Sequence, residues 1–171
     1  GITYTNKKPG SWLDKITAEF IYTKQSNDFY LQRLRESYYN NGVYLTGWDY
    51  HERIVGTPLF IDRNRGQHYF PGMKPMNWDQ PKDSLRGKGG NIINNRVVGG
   101  HIGMLYHLTK KITSKTLITY TQNYGTYTNP ALFTPMKRQW YTLEELRYLL
   151  PGKGIMLTAS VAVDQGQLTN N

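Results

Sequence analysis

Residues 155–163 read IMLTASVAV, with Ile155, Leu157, Ala159, Val161 and Val163 at one parity and Thr158, Ser160 and then Asp164 at the other. A period of two marks a β-strand, because successive side chains point to opposite faces. The same alternation recurs upstream. In residues 12–24 the even positions Ile16, Ala18, Phe20 and Tyr22 are apolar or aromatic, while Lys15, Thr17, Glu19 and Thr23 take the odd ones and only Ile21 is out of phase. In residues 96–108 the even set Val98, Gly100, Ile102, Met104, Tyr106 and Leu108 faces an odd set with His101, Gly103 and His107, blurred by Val97 and Leu105. Residues 115–124 pair Ile118 and Tyr120 with Thr119, Thr121 and Asn123.

These segments have the length of a strand that crosses a bilayer, which needs ~10 residues and shows lipid every second one. The connections between them alternate as well. Short breaks rich in Lys, Gly or Pro fall at 6–10, 110–114 and 151–154, and long irregular stretches at 25–94 and 125–138. Threading strands through them puts every short turn on one side and every long loop on the other, as outer-membrane barrels do. The expected fold is therefore all-β: an antiparallel transmembrane β-barrel of outer-membrane type, with 1–171 forming part of a single barrel domain with long extracellular loops. Its lipid-facing residues are Ile16, Ala18, Phe20, Tyr22, Val98, Ile102, Met104, Tyr106, Ile118, Tyr120, Ile155, Leu157 and Val161.

Two segments oppose this pattern. Residues 142–150, TLEELRYLL, pair Thr142 with Glu145 as a capping box and stop at Pro151-Gly152, so local propensity predicts an amphipathic helix. Residues 29–39 carry Leu31 and Leu34 one turn apart before Asn40-Asn41-Gly42, the pattern of a short helix inside the long loop.

Composition narrows the partner. No run of about 18 apolar residues is present, so no helix of this sequence spans a bilayer. Twenty-one Lys and Arg against twelve Asp and Glu give +9, which favours an anionic partner. Fourteen Tyr and four Trp suit membrane interfaces, sugar surfaces or base-stacking platforms. The absence of Cys removes disulfides, thiol catalysis and Cys-based zinc sites. The sequence opens on Gly1-Ile2-Thr3-Tyr4 without Met or a basic-then-apolar leader, so residue 1 is expected to be an internal position of a longer protein.

No enzyme signature is found. His51, His68, His101 and His107 lack zinc-helix spacing, and His101 and His107 in one strand lie about 20 Å apart at ~3.3 Å per residue. Gly87-Lys88-Gly89-Gly90 lacks the Walker spacing and a preceding strand. No catalytic residue, cofactor or metal is expected. The loop around YLTGWDYHERIVGTPLF and RNRGQHYFPGMKPMNW is instead rich in rings and guanidinium groups. Trp48, Tyr50, Arg53, Arg63, Arg65, Trp78 and Arg86 are the expected binding residues, with rings stacking on pyranose faces and Arg meeting carboxylates bidentately. The alternative for each is packing within the loop or an interfacial girdle.

The order Tyr39-x-Asn41-Gly42-x-Tyr44-x-x-Gly47-Trp48-x-Tyr50, then Gly56-Thr57-Pro58-Leu59-Phe60, resembles the loop of Bacteroidetes-type members of the capsule assembly Wzi family. Asn95-Arg96-Val97, Gln139-Trp140-Tyr141-Thr142 and Val163-Asp164-Gln165-Gly166-Gln167-Leu168 resemble the C-terminal third of such a protein, so the likeness spans roughly 35–171. It implies a barrel in the bacterial outer membrane that retains acidic capsular or exopolysaccharide like a lectin, in contact with outer-membrane lipid and other envelope proteins. It also implies a strand over 140–150 in place of the helix, and closure by an earlier segment and roughly one further strand, since open edges in lipid are costly. The chain is then an incomplete fragment of the barrel. Two other classes remain: a barrel subunit of an outer-membrane transport or assembly complex that contacts protein partners, marked by an apolar, Arg-poor loop surface; and a soluble basic β-protein that binds nucleic acid. The last ranks lowest, because Lys and Arg are scattered through turns and loops, and no nucleic-acid partner is expected.

Overall fold

A computed structural model of the chain describes residues 1–24, 39–40, 44–85, 90–127, 129–152 and 154–169. The strands in chain order are β1 (Ile2–Thr5), β2 (Leu13–Tyr22), β3 (Asp49–Tyr50), β4 (Arg53–Ile54), β5 (Ile61–Asp62), β6 (Ile92–Asn94), β7 (Val97–His107), β8 (Ile112–Asn123), β9 (Lys137–Leu149) and β10 (Met156–Gly166). Short helices are α1 (Arg63–Gly66) and α2 (Pro81–Leu85), with one 3-10 turn at Ala131–Phe133. Six strands form one sheet in the order β1-β2-β7-β8-β9-β10, and β3-β4 and β5-β6 make two small ladders. The fold is thus mostly antiparallel β, with no helix long and apolar enough to cross a membrane among the described residues. The six-stranded sheet is open, with β1 and β10 as its edges, and does not close into the expected barrel.

The chain divides into two compact units. The first comprises Gly1–Ile21, Gly99–Tyr120 and Trp140–Gln165; the second comprises Tyr22–Val98, Thr121–Gln139 and Gly166–Asn171. The short turns after β1, β7 and β9 belong to the first, and both long connections to the second.

In the first unit the even side chains of β2, β7, β8 and β9 share a face. Trp12 meets the edge of Tyr106 at 6.4 Å, the Tyr106 hydroxyl reaches Thr116 at 3.2 Å, and Tyr120 packs on Trp140 at 4.7 Å between ring centres. Tyr4 pairs with Ile16 and Ile2 with Ala18, which extends that face to β1. Backbone bonds Leu150 N to Ile155 O and Gln167 N to Arg138 O set the odd residues of β10 beside the even residues of β9. None of the expected lipid-facing residues is buried: Ala18, Phe20, Tyr22, Ile102, Ile155, Leu157 and Val161 are exposed, and Ile16, Val98, Met104, Tyr106, Ile118 and Tyr120 half-exposed.

Residues 142–149 of this segment are strand, not helix, and belong to β9. The capping-box groups find partners across the sheet or within the strand: Thr142 Oγ1 donates to Val163 O at 3.1 Å, and Glu145 binds Arg147. The even side of β9 carries Trp140, Leu146 and Tyr148, but also Glu144, whose carboxylate accepts from Ser114 and, at 2.5 Å, from Thr116. Glu144, Ser114 and Thr116 thus form a polar patch within a face that otherwise carries mostly apolar and aromatic side chains.

Every buried hydrophobic residue among those described belongs to the second unit: Phe60, Ile61, Tyr69, Phe70, Met76, Leu85, Ile92, Ile93, Val97, Phe133 and Leu168. The described part of the stretch 25–94, expected to be irregular loop, therefore supplies most of a packed core that Val97, Phe133 and Leu168 complete. Burial of such side chains contributes about 1.5–3 kcal/mol each. Buried amides complete it: Asn94 Nδ2 donates to Asn123 Oδ1 at 2.8 Å, and Asn94 Oδ1 accepts from Gly125 N at 2.9 Å.

Candidate functional site

Three of the seven binding candidates, Trp48, Tyr50 and Arg53, lie together at the β3/β4 hairpin of the second unit. Asp49 pairs with Ile54 and Tyr50 with Arg53, and Val55 N donates to Trp48 O at 3.0 Å. Residues opposite each other in an antiparallel pair share a face, so Trp48, Tyr50, Arg53 and Val55 form one strip. All four are exposed, Trp48 by 60% and Tyr50 by 71%. At ~3.3 Å per residue the two ring-bearing positions lie about 7 Å apart along the strand.

The strip is fixed from behind. Trp48 N donates to Tyr39 O at 3.0 Å, and the Tyr39 ring stands between Trp48 at 6.4 Å and the buried Phe60 at 4.8 Å. Gly47 makes this approach feasible: its φ is +86°, and a Cβ there would come within 2.7 Å of Tyr39 O. Asn40 locks the same segment to β6, donating to Ile92 O at 2.7 Å and accepting from Ile92 N at 2.9 Å.

The hairpin tip is strained. His51 and Glu52 have φ of 46° and 63°, the left-handed pair required by a two-residue type I′ turn that favours Asn-Gly. Changing His51-Glu52 to Asn-Gly is expected to stabilise the hairpin by about 1 kcal/mol, seen as a higher thermal midpoint. An unchanged or lower midpoint would show that the tip is held by side-chain contacts such as the His51–Tyr50 edge packing at 4.2 Å.

Below the tip lies an open hollow of about 380 Å³ bordered by Glu52, Arg53, Pro58, Phe60, Asp62 and Arg65. A second, of about 480 Å³, shares Glu52, Asp62 and Arg65 and adds Asn64, His68 and Trp78. The Trp78 indole N–H has no partner among the described residues although the atom is buried, which leaves a donor for a ligand oxygen or a water.

The arginines do not act alike. Arg53 is exposed. Arg65 reaches Pro58 O, Phe60 O at 3.5 Å and Tyr69 Oη at 3.3 Å, so much of its fork braces the loop. Arg63, expected at the surface, is only 7% exposed, and its Nε donates to Gly90 O at 2.9 Å. Desolvation lowers its pKa from the usual guanidinium value. Asp62 caps α1 by accepting from Arg65 N at 2.7 Å, a geometry that turns Arg63 inward. Arg86 and the expected helix at 29–39, except Tyr39, lie outside the described residues, as do Gly87, Lys88 and Gly89.

The structure thus brings Trp48, Tyr50 and Arg53 together on one strip, and Arg53, Arg65 and Trp78 around adjoining hollows. It adds Asp62 and Asn64, which the sequence did not single out, and Glu52 and His68, which the sequence did not place among the binding residues. Carboxylates, amides, rings and one exposed cation within a shallow hollow suit a polyhydroxylated ligand that also bears negative charge.

No protein-family model, curated protein or solved structure matches this chain.

Proposed function

We propose that this chain is part of an outer-membrane β-barrel of the capsule assembly Wzi type, which holds an acidic capsular or exopolysaccharide at the bacterial cell surface without chemical turnover. One observation carries the membrane part: among the described residues the sheet unit contains no buried hydrophobic side chain, while Phe20, Ile102, Trp140, Leu146, Leu157 and Val161 stand exposed on one face. A sheet must cover its apolar face, and lipid does so when the opposite face is polar. In lipid the open edges β1 and β10 would leave backbone groups unsatisfied at several kcal/mol each, so the barrel closes with strands beyond these six.

The glycan part rests on the hairpin strip and the hollows beside it. Trp48 and Tyr50 stack on successive sugar rings, Arg53 pairs with a carboxylate on the polymer, and Glu52 accepts sugar hydroxyls. Many such weak contacts along one polymer sum to avidity. A protein-docking loop would present an apolar, Arg-poor surface; here Arg53 stands opposite Tyr50 within the strip, which favours the glycan.

The test is binding of the detergent-folded protein to purified acidic capsular polysaccharide. Trp48→Ala and Arg53→Ala are each expected to weaken saturable binding about 10- to 30-fold, as truncation of a central aromatic or Arg anchor does. A folded protein that binds no polysaccharide would overturn the glycan assignment and favour a subunit of an envelope assembly.

A further inference from the structure

The polar side of the six-stranded sheet has a second cluster of side chains that the hairpin does not use. Lys15, Thr17, His101, Gly103, Lys115 and Arg147, from four adjacent strands, line a hollow of about 330 Å³. Its floor is Gly103: a Cβ placed there would lie 3.2 Å from Leu117 Cδ2 and 3.5 Å from His101 Nε2. Glycine inside a strand weakens it and marks a place where another group approaches closely. Here the missing side chain leaves open the space beside His101 Nε2.

Met104, Leu105 and Leu117 complete the lining, and the charged and imidazole groups around that space are donors. His101 Nδ1 lies 2.7 Å from Thr119 Oγ1; when that hydroxyl donates to Nδ1, the ring proton sits on Nε2, on the Gly103 side. Arg147 is paired with Glu145 through Nε at 2.7 Å and Nη2 at 2.5 Å, which offsets its charge but leaves other N–H groups of the fork. Lys15 and Lys115 hold no ion pair among the described residues. Two uncompensated cations beside one hollow repel each other, and an anion between them relieves that repulsion.

We propose that this hollow binds an oxyanion, a carboxylate or phosphate group, with Lys15, Lys115 and His101 Nε2 as its donors and Gly103 as its floor. The site is separate from the hairpin and requires neither a membrane nor a polysaccharide.

It is tested by titrating the folded full chain with sodium glucuronate and with sodium phosphate while following the His101 ring signals by NMR. Glucose and sodium chloride at matched ionic strength serve as controls. A saturable shift with either anion is expected, and which anion produces it identifies carboxylate or phosphate as the preferred ligand. Lys115→Gln, which removes charge but little volume, is expected to weaken it about tenfold, the loss of one charge-assisted hydrogen bond. Gly103→Val, which fills the floor, should abolish it, and Arg53→Ala on the hairpin should leave it unchanged. The proposal fails if chloride shifts His101 as much as the oxyanions, or if Lys115→Gln and Lys15→Gln both titrate like the parent.

Discussion

Phe133→Ala is expected to lower the stability of the unit that carries the hairpin by about 3–5 kcal/mol, the range for removing a large aromatic side chain from a packed core. Phe133 is 2% exposed and packs edge-on against Phe70 at 5.2 Å, in a cluster with Ile61, Tyr69, Ile93 and Leu168. These residues come from four separate stretches of chain, so the cluster is what ties the long connection to the 3-10 turn and to the segment after β10. A loss of this size is a large share of the ~5–15 kcal/mol that stabilises an ordinary domain. Leu132→Ala, at the partly buried rim of the same cluster, should cost clearly less. Denaturant unfolding followed by tryptophan fluorescence reads both. Because Phe60, next to Ile61 of this cluster, backs Tyr39 and so Trp48, the proposed polysaccharide binding should fall along with stability in Phe133→Ala. A loss below about 1 kcal/mol, typical of an ordinary substitution, would mean that the connection does not depend on this cluster.

The sheet was legible in the sequence wherever one face is consistently apolar. Alternation located β2, β7, β8 and β10 and assigned Phe20, Ile102, Tyr106, Tyr120, Leu157 and Val161 to a common side, because period two is a local property. It failed at β9. Its helix-like string is decided by partners distant in sequence: Tyr120 for Trp140, Ser114 and Thr116 for Glu144, and Val163 O for Thr142. Strand propensity is mostly such context. The small core of the long connection was illegible for the same reason. Phe60-Ile61, Tyr69-Phe70, Ile92-Ile93, Phe133 and Leu168 follow no period, since each pair comes from a bend or a very short strand.

At the site, rings and Arg could be named from composition, but their direction could not. Asp62-Arg63-Asn64-Arg65 presents two equivalent arginines in sequence. Only the cap that Asp62 places on Arg65 N shows that Arg63 turns toward Gly90 O. Trp48, Tyr50 and Arg53 share a face through a two-residue turn at His51-Glu52, where a sequence without Asn or Gly gives no turn signal.

The apolar face of the sheet yields the sharpest test of the membrane assignment. Ile102 lies at the centre of β7, is 47% exposed, and shares its face with Phe20 and Tyr106. If lipid covers that face, Ile102→Arg places a charge near the bilayer midplane and should cost about 2–4 kcal/mol in the protein folded into vesicles. Tyr22→Arg, at the last residue of β2, should cost only about 0–1 kcal/mol, because the penalty falls toward the interface. If water covers the face, both substitutions should stay within about ±0.5 kcal/mol, as at ordinary exposed sites. A protein partner would give a third pattern, with both residues costly when the partner is present and neither costly in its absence, and no dependence on position along the strand. The gradient between strand centre and strand end, read as the difference in unfolding free energy of the two variants in vesicles, is therefore what separates lipid from either alternative. Its absence would remove the barrel while leaving the hairpin strip and the glycan contacts proposed for it open to the binding measurement.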